Sequence, residues 1–187
     1  MVIIIFMKIY CVNYNLSKSD LQLSLALGDI LNKKLPIIVC IGTDAVQGDS
    51  LGPMVGSFLS SSLRGKTYVF GTLNRPITAK DVGKVSEFIK SVYPETPVLA
   101  IDAALGKKEE VGLVKALDAP IKPGLGVDKN LCEIGTASII GVVEEKYNGK
   151  HLLNSVRLSL IYSQAKLITK GILNYFLSVE SENAKLG

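Results

Sequence analysis

The sequence is poor in the residues that most metal and redox sites require, with three cysteines and one histidine among 187 residues. Cys11, Cys40 and Cys132 lie far apart and form no C-x-x-C pair, so neither a disulfide framework nor a thiolate zinc site is expected. Such usage suits a reducing cytoplasm. Long apolar runs are also lacking. The stretch Met1–Met7 is too short to span a bilayer, has no basic residue ahead of it and no small-x-small cleavage site, so no signal peptide and no membrane helix are expected. Met7 opens a start of its own, and residues 1–6 read equally well as an upstream extension. Charge of one sign is scarce: 21 Lys plus Arg against 17 Asp plus Glu leave +4, scattered rather than gathered into a stripe. That pattern argues against nucleic acid as a partner.

What the chain does have is apolar residues, 48% of the total, with 20% charged, a balance that excludes disorder, collagen and coiled coil. Residues 1–187 are read as one domain, irregular at 1–14 and 178–187. Leu21, Leu25, Leu27, Ile30 and Leu31 fall near helical spacing within 17–34, behind a Ser17 or Ser19 cap. After Pro36, the run Ile37–Ile41 has no polar face, as in a strand covered on both sides. Helical spacing resumes from Leu51 to Leu63, with Pro53 in the first turn, where a missing N–H does no harm. The alternation continues with a strand at 67–71, a helix at 79–92, and an apolar strand at 98–101 ending at Asp102. Strands at 111–117 and 138–143 and a helix at 152–177, weakened or bent at Gly171, complete the pattern. Strands alternating with helices predict a three-layer α/β/α sandwich around a mostly parallel sheet.

Ligands of open parallel sheets collect outside the carboxyl ends of the strands. Two segments leave strands there: Gly42-Thr-Asp-Ala-Val-Gln-Gly-Asp-Ser-Leu-Gly-Pro53 and Ile101-Asp-Ala-Ala-Leu-Gly106. The first is glycine-rich and precedes a helix, yet its glycines match neither the P-loop nor the dinucleotide spacing, and Asp49 stands where a P-loop has lysine. Asp49 has two readings, a helix N-cap or a reactive acid. Asp102 sits among small and apolar residues, where an acid is poorly solvated. If the two strands are neighbours, the carboxyls face each other and at least one pKa rises. One protonated and one ionised carboxyl can activate water and protonate a leaving amine, which amide hydrolysis requires.

Alternatives remain beside that reading. Asp44, Asp49, Asp102 and Asp128 offer oxygen ligands for Mg²⁺ or Ca²⁺. His151 lies in a polar connection with no serine and acid arranged around it, Cys40 belongs to an apolar run, and Cys132 has no histidine located near it. The segment Pro120-Ile-Lys-Pro-Gly-Leu-Gly-Val-Asp-Lys129 is either a tight connection or a stiff rim presenting backbone N–H groups and Lys122 or Lys129 to a substrate.

Three motifs in order, around Asp49, around Asp102 and from Pro120 to Lys129, resemble the YyaC family of sporulation proteins over about residues 15–177. That family is similar to the germination proteases that degrade small acid-soluble spore proteins and, more distantly, to the hydrogenase maturation endopeptidases, which share a three-layer α/β fold. The resemblance places Asp49 and Asp102 at the two aspartates of the germination proteases, and Pro123–Asn130 at their downstream Pro-Gly-x-Gly-Val segment. It implies a peptidase of sporulation or germination, in the cytoplasm of the spore or sporulating cell. Asp49 and Asp102 are its expected catalytic pair, and Gly48, Ser50, Lys122, Gly124, Gly126 and Lys129 its expected substrate-binding residues. The hydrogenase endopeptidases hold a metal with two acids and a histidine. Asp49 and Asp102 match the acids, no histidine matches clearly, and no metal or other cofactor is expected. The expected partner is a protein or peptide, small spore proteins among them, without nucleic acid or membrane; assembly into a homo-oligomer stays open. The rival readings are a silent descendant that binds a spore peptide or protein, and a metal-dependent amidase using Asp44, Asp49 and Asp102.

Overall fold

The computed structural model of the chain describes residues 7–123, 132–146, 153 and 156–186. Their order is β1 (Ile9–Asn13), α1 (Ser19–Leu31), β2 (Ile37–Cys40), α2 (Leu51–Ser62), β3 (Val69–Phe70), α3 (Val82–Val92), β4 (Val98–Gly106), β5 (Leu113–Leu117), β6 (Ala137–Glu145) and α4 (Leu158–Leu186). A 3₁₀ turn at Gln47–Ser50 leads into α2. The strands form one six-stranded sheet in the order β1-β5-β6-β4-β2-β3. β3, β2, β4 and β6 run parallel, whereas β5 runs against both of its neighbours, β6 and β1.

Alternation along the central strands decides which helix covers which face. Ile38 and Cys40 of β2 and Leu99 and Ile101 of β4 join a core with α1, α2 and α4. Ile37, Val39 and Ala100 point the other way and pack with Val82 and Ile89 of α3. This is the expected α/β arrangement, with helices on both faces of a mostly parallel sheet. Cys40 is fully buried, as its apolar neighbours imply, and burial pushes its thiol far above the ordinary range.

Several elements depart from the sequence reading. Residues 9–13, expected to be irregular, form edge strand β1, whose only buried side chain is Val12. The strand is tied down by its pairing with β5 and by Lys8 and Tyr10, which both meet the Asp29 carboxylate of α1. Helix α1 buries Leu23, Ala26, Leu27 and Leu31 and leaves Leu21 and Leu25 exposed, so its apolar stripe is rotated from the expected one. No side chain caps that helix; the Ser19 hydroxyl donates to the Asn13 carbonyl instead. Helix α4 begins later than expected and runs on to Leu186 where a frayed tail was expected. It passes through Gly171 as helix, and a Cβ there would lie 2.7 Å from the Leu23 side chain. The glycine lets α1 approach α4 closely. Finally, β4 does not end at Asp102. It continues to Gly106 because β6 pairs with it along that whole length, with a register shift between Ala104 and Leu105.

Candidate active site

β2 and β4 are adjacent and parallel, with Cys40 opposite Ile101, so Asp102 lies one residue beyond the last paired position. The loop leaving β2 passes over this carboxyl edge and returns through the 3₁₀ turn, which carries Asp49 against β4. Glycines make that passage possible. At Gly42, φ is +134° and a Cβ would stand 2.0 Å from the Asp49 carbonyl oxygen. At Gly52, a Cβ would stand 2.1 Å from the Ile41 carbonyl oxygen. The glycines therefore bring backbone onto backbone, and the Thr43 N–H closes the loop on the Asp49 carbonyl at 3.1 Å.

Both acids are held under conditions that favour the neutral form. Burial pushes the Asp49 carboxyl up to about 6, against the pull of the Thr43 backbone N–H. For Asp102, burial comes first and the Asp49 charge second; together they push it up to about 8, opposed by the Ala103 N–H, which donates to Oδ1 at 2.8 Å. Asp102 keeps part of its surface accessible, yet burial outweighs its one hydrogen bond. The asymmetry has a simple cause. Burial raises Asp102 more than Asp49, so Asp49 ionises first and its charge then adds to the hold on the second proton.

The capping reading of Asp49 finds no partner, because no side chain caps the start of α2. Ser50 is buried, and its hydroxyl donates to the Gln47 carbonyl at 2.6 Å rather than to Asp49. Gly48 is buried in the same turn, beneath Leu153 and Val156. Lys122 is exposed and pairs with Glu133 at 3.1 Å. Ile121, just before it, bridges to Ile134, and both belong to the core on the α3 face of the sheet that also includes Ala100. Asp102 projects from the same face of β4, two residues beyond Ala100. Gly124, Gly126, Asp128, Lys129 and His151 lie outside the described residues. A cavity of about 610 Å³ between Tyr14, Glu144, Arg157 and Ser163 contains neither aspartate. The site is therefore assigned on converging ionisable groups rather than on cavity size.

Among the described residues, no three His, Cys, Asp or Glu side chains come together to hold a metal ion, and Asp44 is exposed. Two carboxyls, one of them engaged by the Ala103 N–H, do not make a metal site by themselves. The expected trio of Asp44, Asp49 and Asp102 is thus not assembled. The sequence reading also missed that the loop glycines serve close backbone approach; the signal was a helix start, Leu-Gly-Pro, too crowded to admit a side chain.

These features define a mixed α/β protein with two acids of raised proton affinity at the carboxyl edge of its parallel strands. The family described as "Protein of unknown function (DUF1256)" matches residues 11–171. The chain is also 36% identical over 137 residues to "Uncharacterized protein YyaC" of Bacillus subtilis (strain 168), covering 73% of this chain and 67% of that protein. It belongs to the YyaC family. No helix among the described residues is long and apolar enough to cross a membrane.

Proposed function

We propose that the protein is a peptidase of the sporulation or germination programme that hydrolyses an amide bond of a protein substrate with Asp49 and Asp102. The supporting observation is that both acids lie at one sheet edge, near enough for the Asp49 charge to act on Asp102, with proton affinities set apart at about 6 and about 8. Near pH 7 the assignment of roles follows. Ionised Asp49 takes a proton from the attacking water, and its oxygen adds to the amide carbon. Protonated Asp102 gives its proton to the leaving nitrogen as the C–N bond breaks. We assign the oxyanion to backbone N–H groups near the start of α2, where Pro53 supplies none. Proton return from Asp49 to Asp102 through water resets the pair. No step passes through a metal.

Activity then requires Asp49 ionised and Asp102 protonated. The pH profile of kcat/KM on an unfolded small spore protein should rise through about 6, peak near 7 and fall through about 8. Chelator should leave that profile unchanged. A profile with one limb near the ordinary carboxylate value, or loss of activity on chelation, would remove this mechanism. The silent-binder reading predicts binding of the same protein without cleavage at any pH.

A further inference from the structure

The backbone of β4 past the end of β2 has polar groups without partners among the described residues. The Val98 and Gly106 carbonyls accept from Thr136 and Lys146, on the β6 side, whereas the Ile101 carbonyl accepts from Ile41, on the β2 side. In a strand the backbone groups of alternate residues point to opposite neighbours. Even-numbered residues of β4 therefore face β6, and Ala103 and Leu105 face the β2 side.

There β2 has already gone. The next bond of the parallel ladder would run from the Ala103 N–H to the Ile41 carbonyl. Instead the chain turns away at Gly42, whose N–H donates to the Ile77 carbonyl, and the Ala103 N–H donates to Asp102 Oδ1. Among the described residues, the Ala103 carbonyl and the Leu105 N–H and carbonyl bond to nothing. Residues 103–106 are all partly accessible, and three of the four are Ala or Gly, which leave room beside the strand. The hydrogen bond to Ala103 also draws the Asp102 carboxylate toward this open side.

We propose that an extended polypeptide segment pairs with Ala103–Gly106 in the place that β2 vacates, laying its backbone across Asp102 and Asp49. The pairing itself rests on the free backbone groups; its use in cleavage rests on the peptidase reading. A strand added to a sheet edge is recognised through main-chain hydrogen bonds, with alternate side chains facing opposite sides. The substrate class this selects is an unfolded or unfoldable stretch of protein, chosen mainly by its backbone, because β4 offers small side chains there. A folded domain cannot present such a stretch.

The test uses the full chain carrying Asp49→Asn, which prevents turnover, and a random library of blocked peptides about eight residues long, within the usual span of a strand. The tightest peptide retained is then studied. Hydrogen exchange at the Leu105 amide should slow when it binds. Leu105→Pro should weaken binding at least about tenfold, equivalent to about 1.4 kcal/mol, while the melting temperature stays that of the parent, since this N–H makes no bond to β6. Replacing each peptide amide in turn by an ester tests the pairing without altering the protein. Losses should recur at every second position. No retained peptide, an unchanged Leu105 amide, or ester losses without that period would overturn the proposal. Pairing with these signatures but no cleavage by the parent chain would leave the docking edge standing and remove the peptidase reading. Cleavage that Leu105→Pro does not slow would do the reverse.

Discussion

Asp102→Asn is expected to make the protein more heat-stable and, at the same time, to lower its peptidase activity by about a thousandfold, within the range for loss of a general acid. The stability gain follows from linkage. The folded state raises the Asp102 pKa from 3.8 to about 8, so the fold binds this proton more tightly than the unfolded chain does. The stabilisation from that proton is complete below about 4 and is lost as pH climbs through about 8. Above that, the native state carries a buried charge beside Asp49. Asparagine cannot ionise, and its Oδ1 still accepts from the Ala103 N–H. A displacement of this size corresponds to about 6 kcal/mol, which partial exposure of the residue reduces to on the order of 2 kcal/mol. The melting temperature near pH 8 should rise by about 4–8 °C, and the gain should shrink as pH falls toward 4. Asp102→Ala differs, because it leaves the Ala103 N–H without its partner and should melt lower than the asparagine variant. A destabilised Asp102→Asn that still cleaves would mark Asp102 as a structural acid.

Gly52→Ala should be severely damaging although the change is small. Alanine is the better helix former by about 1 kcal/mol, and propensity alone predicts a gain. The added Cβ would instead lie 2.1 Å from the Ile41 carbonyl oxygen and 2.8 Å from the Ile41 nitrogen, both main-chain atoms that cannot step aside. Helix α2 must then lift off the end of β2, taking the Asp49 turn with it. The expected loss is about 3 kcal/mol or more, with peptidase activity lost in the fraction that folds. Gly28→Ala in α1 is the control, since nothing lies within 4 Å of its Cβ position; it should gain up to about 1 kcal/mol. Urea unfolding of both variants checks the pair. Equal stability of Gly52→Ala and the parent would show that the loop is not held against β2 as described.

The sequence made the layer order and both acids legible for physical reasons. A polar-free run such as Ile37–Ile41 fits only a strand covered on both faces, and an aspartate set among Ile, Ala and Leu has few places to be solvated. What it hid depends on partners distant in sequence. β1 is mostly exposed, so its alternation carries no burial signal, and it is a strand only because β5 pairs with it. Ala103–Gly106 has no strand propensity of its own and is extended by β6. The rotated stripe of α1 reflects where α4 lies: Leu23 packs at Gly171, a contact 148 positions away that no local periodicity reports. Which carboxyl ionises first was equally invisible, because it follows from relative burial at the end of β2 rather than from residue type.

The central claim, that Asp49 and Asp102 together hydrolyse a peptide bond, is tested most directly by mass spectrometry of an unfolded small spore protein incubated near pH 7 with the parent chain, Asp49→Asn and Asp102→Asn in the presence of chelator. The parent should yield new amino and carboxyl termini at defined bonds, and both variants, folded as the parent is, should leave the protein intact. An intact substrate with the parent, or cleavage by either variant at the parent's rate, would contradict it.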